Sequence, residues 1–196
     1  MQQSISYRKL AALSKALMLK QTKKNKAPAW VLTEHVVRYG KKVAPRYGVD
    51  PDLVVACLYL AHTRFSPIWE GYVQRNHERL SSQYVLPYLK KWQVAPKDIS
   101  LLQNAIEAHH DHVRGTSKLA EVMKNAECMK FVTVDGVLYY FHDLGKRGWA
   151  PELSARRVLA KMNQKLGYLT LPDCISIAKK NRREIEKLFT PLCGTR

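Results

Sequence analysis

Residues 48–63 read GVDPDLVVACLYLAHT, and this stretch decides the fold class. Asp50 followed by Pro51 is a helix-start signal. A short carboxylate can accept from the first free backbone N–H groups, and proline suits the first helical position, where its missing donor is not needed. From Leu53 to Ala61 every residue is apolar. The run is far shorter than the roughly 20 residues that span a bilayer. A helix that is apolar all round is one enclosed by other elements, so this one predicts a shell of helices around it.

The rest of the chain reads as that shell. Upstream, Ser4 can cap a helix with Leu10, Leu13 and Leu17 on one face, KQTKKNKAP (20–28) acts as a linker, and Pro28 opens a second helix through about Tyr47. Downstream, 67–92 reads as one or two amphipathic helices rich in aromatics (Trp69, Tyr72, Tyr84, Tyr88, Trp92), and 94–113 as a further helix. A long helix over 117–144 follows, bending near Asp135-Gly136, with two more at about 151–166 and 172–190. There is no alternating strand pattern, internal repeat or low-complexity tract. The expectation is an all-α bundle of about seven to nine helices, with 1–27 as an N-terminal helix and basic linker and 28–196 as the helical domain.

Composition narrows the function classes. Hydrophobic residues make up 46% of the 196, enough for a packed core and too many for a disordered chain. The N-terminus lacks the continuous apolar segment of a secretory signal. The four cysteines (Cys57, Cys128, Cys174, Cys193) form no C-x-x-C pair, the usage of idle thiols in a reducing compartment. A cytoplasmic protein with no membrane association is expected. The extreme value is charge: 33 Lys and Arg against 16 Asp and Glu, a formal +17. Such a field draws polyanions, either phosphorylated small molecules or nucleic acid. No glycine-rich phosphate loop, helix-turn-helix or zinc-finger spacing accompanies it, so sequence-specific reading of DNA has no support.

Several metal-binding side chains interrupt apolar stripes. Along 118–143 the stripe runs Ala120, Met123, Glu127, Phe131, Val134, Leu138, Phe141, and Glu127 lies on it. A carboxylate on a buried face is costly unless paired, protonated or bound to a metal. Along 98–114 the stripe is Ile99, Leu102, Ile106, His110, Val113, which sets His110 on the core face and His109 about 100° away. His62 ends the apolar helix, and His35 lies beside the Val31, Leu32, Tyr39, Val43 face of the helix before it. Four helices thus each offer an imidazole or carboxylate donor, a set suited to Mn, Fe, Ni, Zn or Mg.

Over residues 30–142 the chain resembles the HD-domain superfamily of all-α metal-dependent phosphohydrolases, through EHVVRYGKKVAPRYGVDPDLVVACLYLAHT, AIEAHHDH and KNAECMKF. The resemblance implies His35, His62, His110 and Glu127 as ligands of a divalent ion and Glu127 and His109 in catalysis. It implies a nucleotide or other phosphoester as substrate, with Arg38, Lys42, Arg64 and Arg114 contacting phosphate. Two departures stand out: Thr63 occupies the place of the HD aspartate, and Glu127 that of the final aspartate. Without the bridging carboxylate a two-metal centre is weakened, leaving a single ion or an inactive module that binds nucleotide or nucleic acid through its basic surface. A second His-Asp pair, His142-Asp143 in YYFHDLGK (139–146), imitates the motif. No histidine follows it, so the earlier register is preferred and this pair is read as a decoy.

Overall fold

Asp50 is in extended backbone, and its Oδ1 accepts from the N–H groups of Asp52 and Leu53 at 2.8 and 3.1 Å. Helix α3 (Pro51–Leu60) therefore starts where the Asp-Pro signal places it, and Leu53 through Leu60 are all buried. The computed structural model describes residues 4–65, 76–110 and 113–193. Among these, α1 (Tyr7–Asn25) and α2 (Trp30–Val43) precede α3. After it come α4 (His77–Lys91), α5 (Pro96–Glu107), α6 (Lys118–Val132), α7 (Val134–Lys146), α8 (Pro151–Leu166) and α9 (Pro172–Phe189). The described residues form an all-α bundle with no strand. The segment 66–75, with Trp69 and Tyr72 of the expected aromatic helix, lies outside the described residues, as do Asp111 and His112.

α1 and α2 both pack on α3, and α6 packs on α2 and α3. Leu10 and Met18 of α1 are fully buried in the main core, alongside Leu58, Leu60, Met123 and Met129. Gly40 permits the closest approach. A Cβ there would stand 2.5 Å from Leu58 Cδ1 and 3.3 Å from Ala126 Cβ, so the glycine is where α2 seats against α3 and α6. A second, smaller core of Val137, Val158, Met162, Ile185 and Phe189 joins α7, α8 and α9.

Three boundaries differ from the expectation. α1 is capped by Ser6, whose Oγ accepts from Lys9 N–H, because the Ile5 N–H is taken by the Gln93 carbonyl. α2 gives way to a 3₁₀ turn (Ala44–Tyr47), since Pro45 has no N–H for the α-helical ladder. The long helix over 117–144 is two helices, broken at Thr133. Thr133 is extended (φ −118°, ψ 149°); its Oγ1 donates to the Met129 carbonyl and accepts from the Gly136 N–H, ending α6 and capping α7. The apolar register restarts there. Leu138 consequently lies 46% exposed, and Phe141 packs on Phe189 of the second core.

Cys57, Cys128 and Cys174 are buried free thiols. No helix among the described residues is long and apolar enough to cross a membrane.

Candidate metal centre

The ends of α3, α4 and α5 bring three imidazoles together. His62 follows the last turn of α3, His77 is the first residue of α4, and His109 follows α5. One ring nitrogen from each lies within 4.8 Å of the others, and all three residues are buried. The rings pack with centroids 5.0–5.3 Å apart. Glu127, on the α6 stripe, adds a carboxylate: its Oε2 lies 3.8 Å from His62 Nε2 and is paired with Lys130. Its Oε1 is buried and has no hydrogen-bond partner.

The protonation pattern suits a cation. His109 Nδ1 donates to the Ile106 carbonyl, which puts the lone pair on Nε2, and that atom is buried without a partner. His77 Nδ1 sits 3.2 Å from Glu78 Oε2. For His109, donating one ring N–H to a carbonyl while the other nitrogen is left buried and unpaired is the arrangement that fixes metal-binding histidines. Burial holds the pKa of His62 and of His109 well below the ordinary histidine value, with the charge of Lys130 and neighbouring imidazoles adding to it. His110, half-buried beside His109, is lowered for the same reason. The neutral imidazoles are the ligating form. A second set, His77, Glu78 and His110, also has its donor atoms within 4.8 Å.

The donors open into a cavity of about 200 Å³. Its walls include Leu32, Phe65, Phe131 and Tyr140, together with Lys130, Arg147, Arg157, Lys161 and Lys165. The cations come from α6, α7 and α8, and Asp143 of α7 joins them, paired with Arg147.

Sequence and space agree only in part. His62, His109, His110 and Glu127 meet in one place, but His109 rather than His110 is the deeper of the adjacent pair. The reason is that α5 ends at Glu107, so the helical register used to orient them does not reach them. His109, assigned to catalysis from the sequence, groups with the ligating nitrogens. His35 does not line the cavity. It is buried against α7, with Nε2 2.9 Å from Thr133 Oγ1 and Nδ1 near Arg38 (3.1 Å) and Asp135 (3.3 Å). The Thr133 hydroxyl already donates to the Met129 carbonyl, so this threonine, histidine and aspartate form a structural tie and not a nucleophile relay. Arg38, Lys42, Arg64 and Arg114 are exposed and none lines the cavity; Arg38 faces Asp135 and Arg64 lies over the Tyr84 ring. Thr63 is buried, but its hydroxyl donates to the Leu60 carbonyl. Of the decoy pair, Asp143 lines the cavity and His142 is exposed.

Sequence reasoning missed His77 and the α8 cations. His77 starts a helix, where periodicity carries no information, although a His-Glu pair at a helix start was the available signal. Arg157, Lys161 and Lys165 recur every fourth residue, a spacing equally typical of a solvated face.

No family model, curated protein or solved structure matches the chain. The assignment of chemistry therefore rests on the geometry of the cavity.

Two predictions follow from these placements. His35→Gln should leave the metal content of purified protein unchanged, because His35 is outside the donor set, yet lower stability by about 1–3 kcal/mol by disturbing a buried hydrogen-bonded group; elemental analysis and urea unfolding check the two halves. Lys161 is the second case. Burial, then the charges of Arg157, Lys165 and Lys130, push its pKa down to about 8. Arg157→Gln removes one of those repelling charges, so the Lys161 Nζ titration followed by NMR should move upward, towards the ordinary lysine value.

Proposed function

We propose that the cavity is a metal-dependent phosphohydrolase centre acting on a nucleotide or other phosphoester, with His62, His77 and His109 holding one divalent ion. The observation that carries this reading is the convergence of three buried imidazoles and a carboxylate in a cavity also lined by lysines and arginines. Imidazole and carboxylate donors fit Zn, Mn, Fe or Ni better than Mg. A divalent ion in that position supplies Lewis acidity and activates water for attack on phosphorus.

The chain's own groups divide the remaining work. Glu127 has one oxygen held by Lys130 and the other without a hydrogen-bond partner, so Oε1 is the group placed to take the proton of the attacking water. Lys130, Arg147 and Lys161 bind the non-bridging phosphate oxygens and offset the charge that grows on the departing oxygen. Phe65, Phe131 and Tyr140 restrict water around these contacts, which strengthens them. What sets it beside the HD-domain phosphohydrolases is the part of that resemblance that reaches the cavity, His62, His109, His110 and Glu127, without His35.

Thr63 favours a second reading. With its hydroxyl committed to Leu60, no carboxylate stands in the place of the HD aspartate. A module that binds phosphate anions without turnover is the alternative. Purified full-length protein loaded in turn with Mn²⁺, Fe²⁺, Zn²⁺ and Ni²⁺ and offered a panel of nucleotides and phosphomonoesters separates the two. Turnover that is lost on chelation and in Glu127→Gln supports hydrolysis; metal and anion binding with no turnover supports the module.

A further inference from the structure

Helix α1 carries six basic residues and no acidic one, and two of the six, Arg8 and Lys9, stand in its first turn. The positive end of the helix dipole disfavours cations there. The apolar side of α1 is taken up by the core, since Leu10, Leu17 and Met18 are buried. Lys9, Leu13, Ala16, Lys20 and Lys24 follow one another at steps of three and four, and all but the half-buried Leu13 are exposed. Such spacing sets the three lysines along one edge of the helix.

Helix α4 runs antiparallel to α1. The Ile5 N–H donates to the Gln93 carbonyl at 3.3 Å, just past the end of α4, and Gln21 Nε2 donates to the Tyr84 hydroxyl at 2.9 Å, near its middle. Between these two ties lies a row of aromatic rings, Tyr84, Tyr88 and Trp92, with successive centroids 5.4 and 5.8 Å apart. All three are half-buried, packed on the core without being sealed in it. Lys9, Leu13, Lys91 and Trp92 line one surface depression, and Arg64 lies over the Tyr84 ring. Cations thus stand at both ends of a short aromatic row.

Lysines alone suit any polyanion; ring faces beside them suit one that also carries flat π-systems. Eight helical residues separate Tyr84 from Trp92, about 12 Å, the rise of about three or four stacked nucleotides. A duplex keeps its base faces inside the stack, out of reach of such rings. A lipid surface calls for apolar side chains that insert, and α1 exposes no large one.

We infer that the groove between α1 and α4 binds single-stranded nucleic acid without sequence preference, with bases stacked on Tyr88 and Trp92 and phosphates on Lys9, Lys20 and Lys91. None of these residues lines the metal cavity, so binding here stands or falls apart from the hydrolase reading.

Anisotropy titrations of the purified full chain with a labelled oligouridylate of about 15 nucleotides and with a duplex of the same length test this, beside co-sedimentation with phosphatidylserine vesicles. The single strand should bind at least about tenfold tighter than the duplex. Trp92→Ala should weaken it about five- to a hundredfold, the loss of one stacked base. Lys9→Gln combined with Lys91→Gln should lower the slope of log affinity against log salt by about 1.4, the share of two phosphate contacts on a single strand. Circular dichroism accompanies Trp92→Ala, and the lysine pair decides the matter should that variant unfold. Lys180→Gln combined with Lys187→Gln removes the same charge from the exposed face of α9 and should leave affinity within about twofold. Equal or tighter duplex binding, a folded Trp92→Ala that binds as wild type, an equal loss in the α9 pair, or vesicle binding in place of oligonucleotide binding would each overturn the inference.

Discussion

His62→Ala will empty the centre: metal content should fall from about one equivalent to less than a tenth, and turnover by on the order of a hundredfold or more. The three imidazole nitrogens lie within 4.8 Å of one another, so removing one leaves two donors and a carboxylate that Lys130 already holds. His109→Gln should have the same effect, because its Nε2 is the buried nitrogen with no other partner. Neither change touches the α2–α3–α6 seam that holds the bundle together. Both variants should therefore fold, as read by circular dichroism, and the contrast with His35→Gln separates a metal ligand from a histidine that packs.

The largest expected effect on stability lies at that seam. Leu58 is fully buried at the centre of α3, and Leu58→Ala should cost about 2–5 kcal/mol of unfolding free energy from lost burial and the space left behind. Gly40→Ala inserts a Cβ 2.5 Å from Leu58 Cδ1, and such overpacking costs about 1–3 kcal/mol even though alanine is the better helix former. The two effects are coupled through one contact. In the double variant the truncated Leu58 no longer meets the new methyl, so the combined loss should fall short of the sum by about 0.5–3 kcal/mol. Urea unfolding of the four proteins gives the coupling directly, and strict additivity would show that α2 and α3 do not meet as described.

The helices were legible in the sequence because their signals are local. Asp50-Pro51 fixes the start of α3 through two hydrogen bonds made within three residues, and its apolar run needs no knowledge of its neighbours to be recognised as central. Glu127 was legible for the opposite reason: an ionisable group on an apolar stripe signals that something outside the helix must satisfy it. The site as a whole was not. Its histidines sit at or beyond helix ends, where the 3.6-residue period no longer orients side chains, and so His109 and His110 exchanged depth and His77 passed unnoticed. Arg38, Lys42, Arg64 and Arg114, which the resemblance implies as phosphate contacts, lie outside the cavity, whose cations come instead from α6, the end of α7 and α8. The pair His142-Asp143 divides in the same way, since adjacent residues on a helix diverge by about 100°; Asp143 reaches the cavity and His142 does not.

The central claim is that His62, His77 and His109 hold one ion. X-ray absorption at the metal edge of the Zn²⁺-loaded full chain tests it most directly. The account predicts a first shell containing three nitrogen donors at about 2.0–2.1 Å with imidazole outer-shell scattering that drops by one ring in His77→Ala. An oxygen-only shell without imidazole scattering, or a spectrum unchanged in His77→Ala, would contradict it.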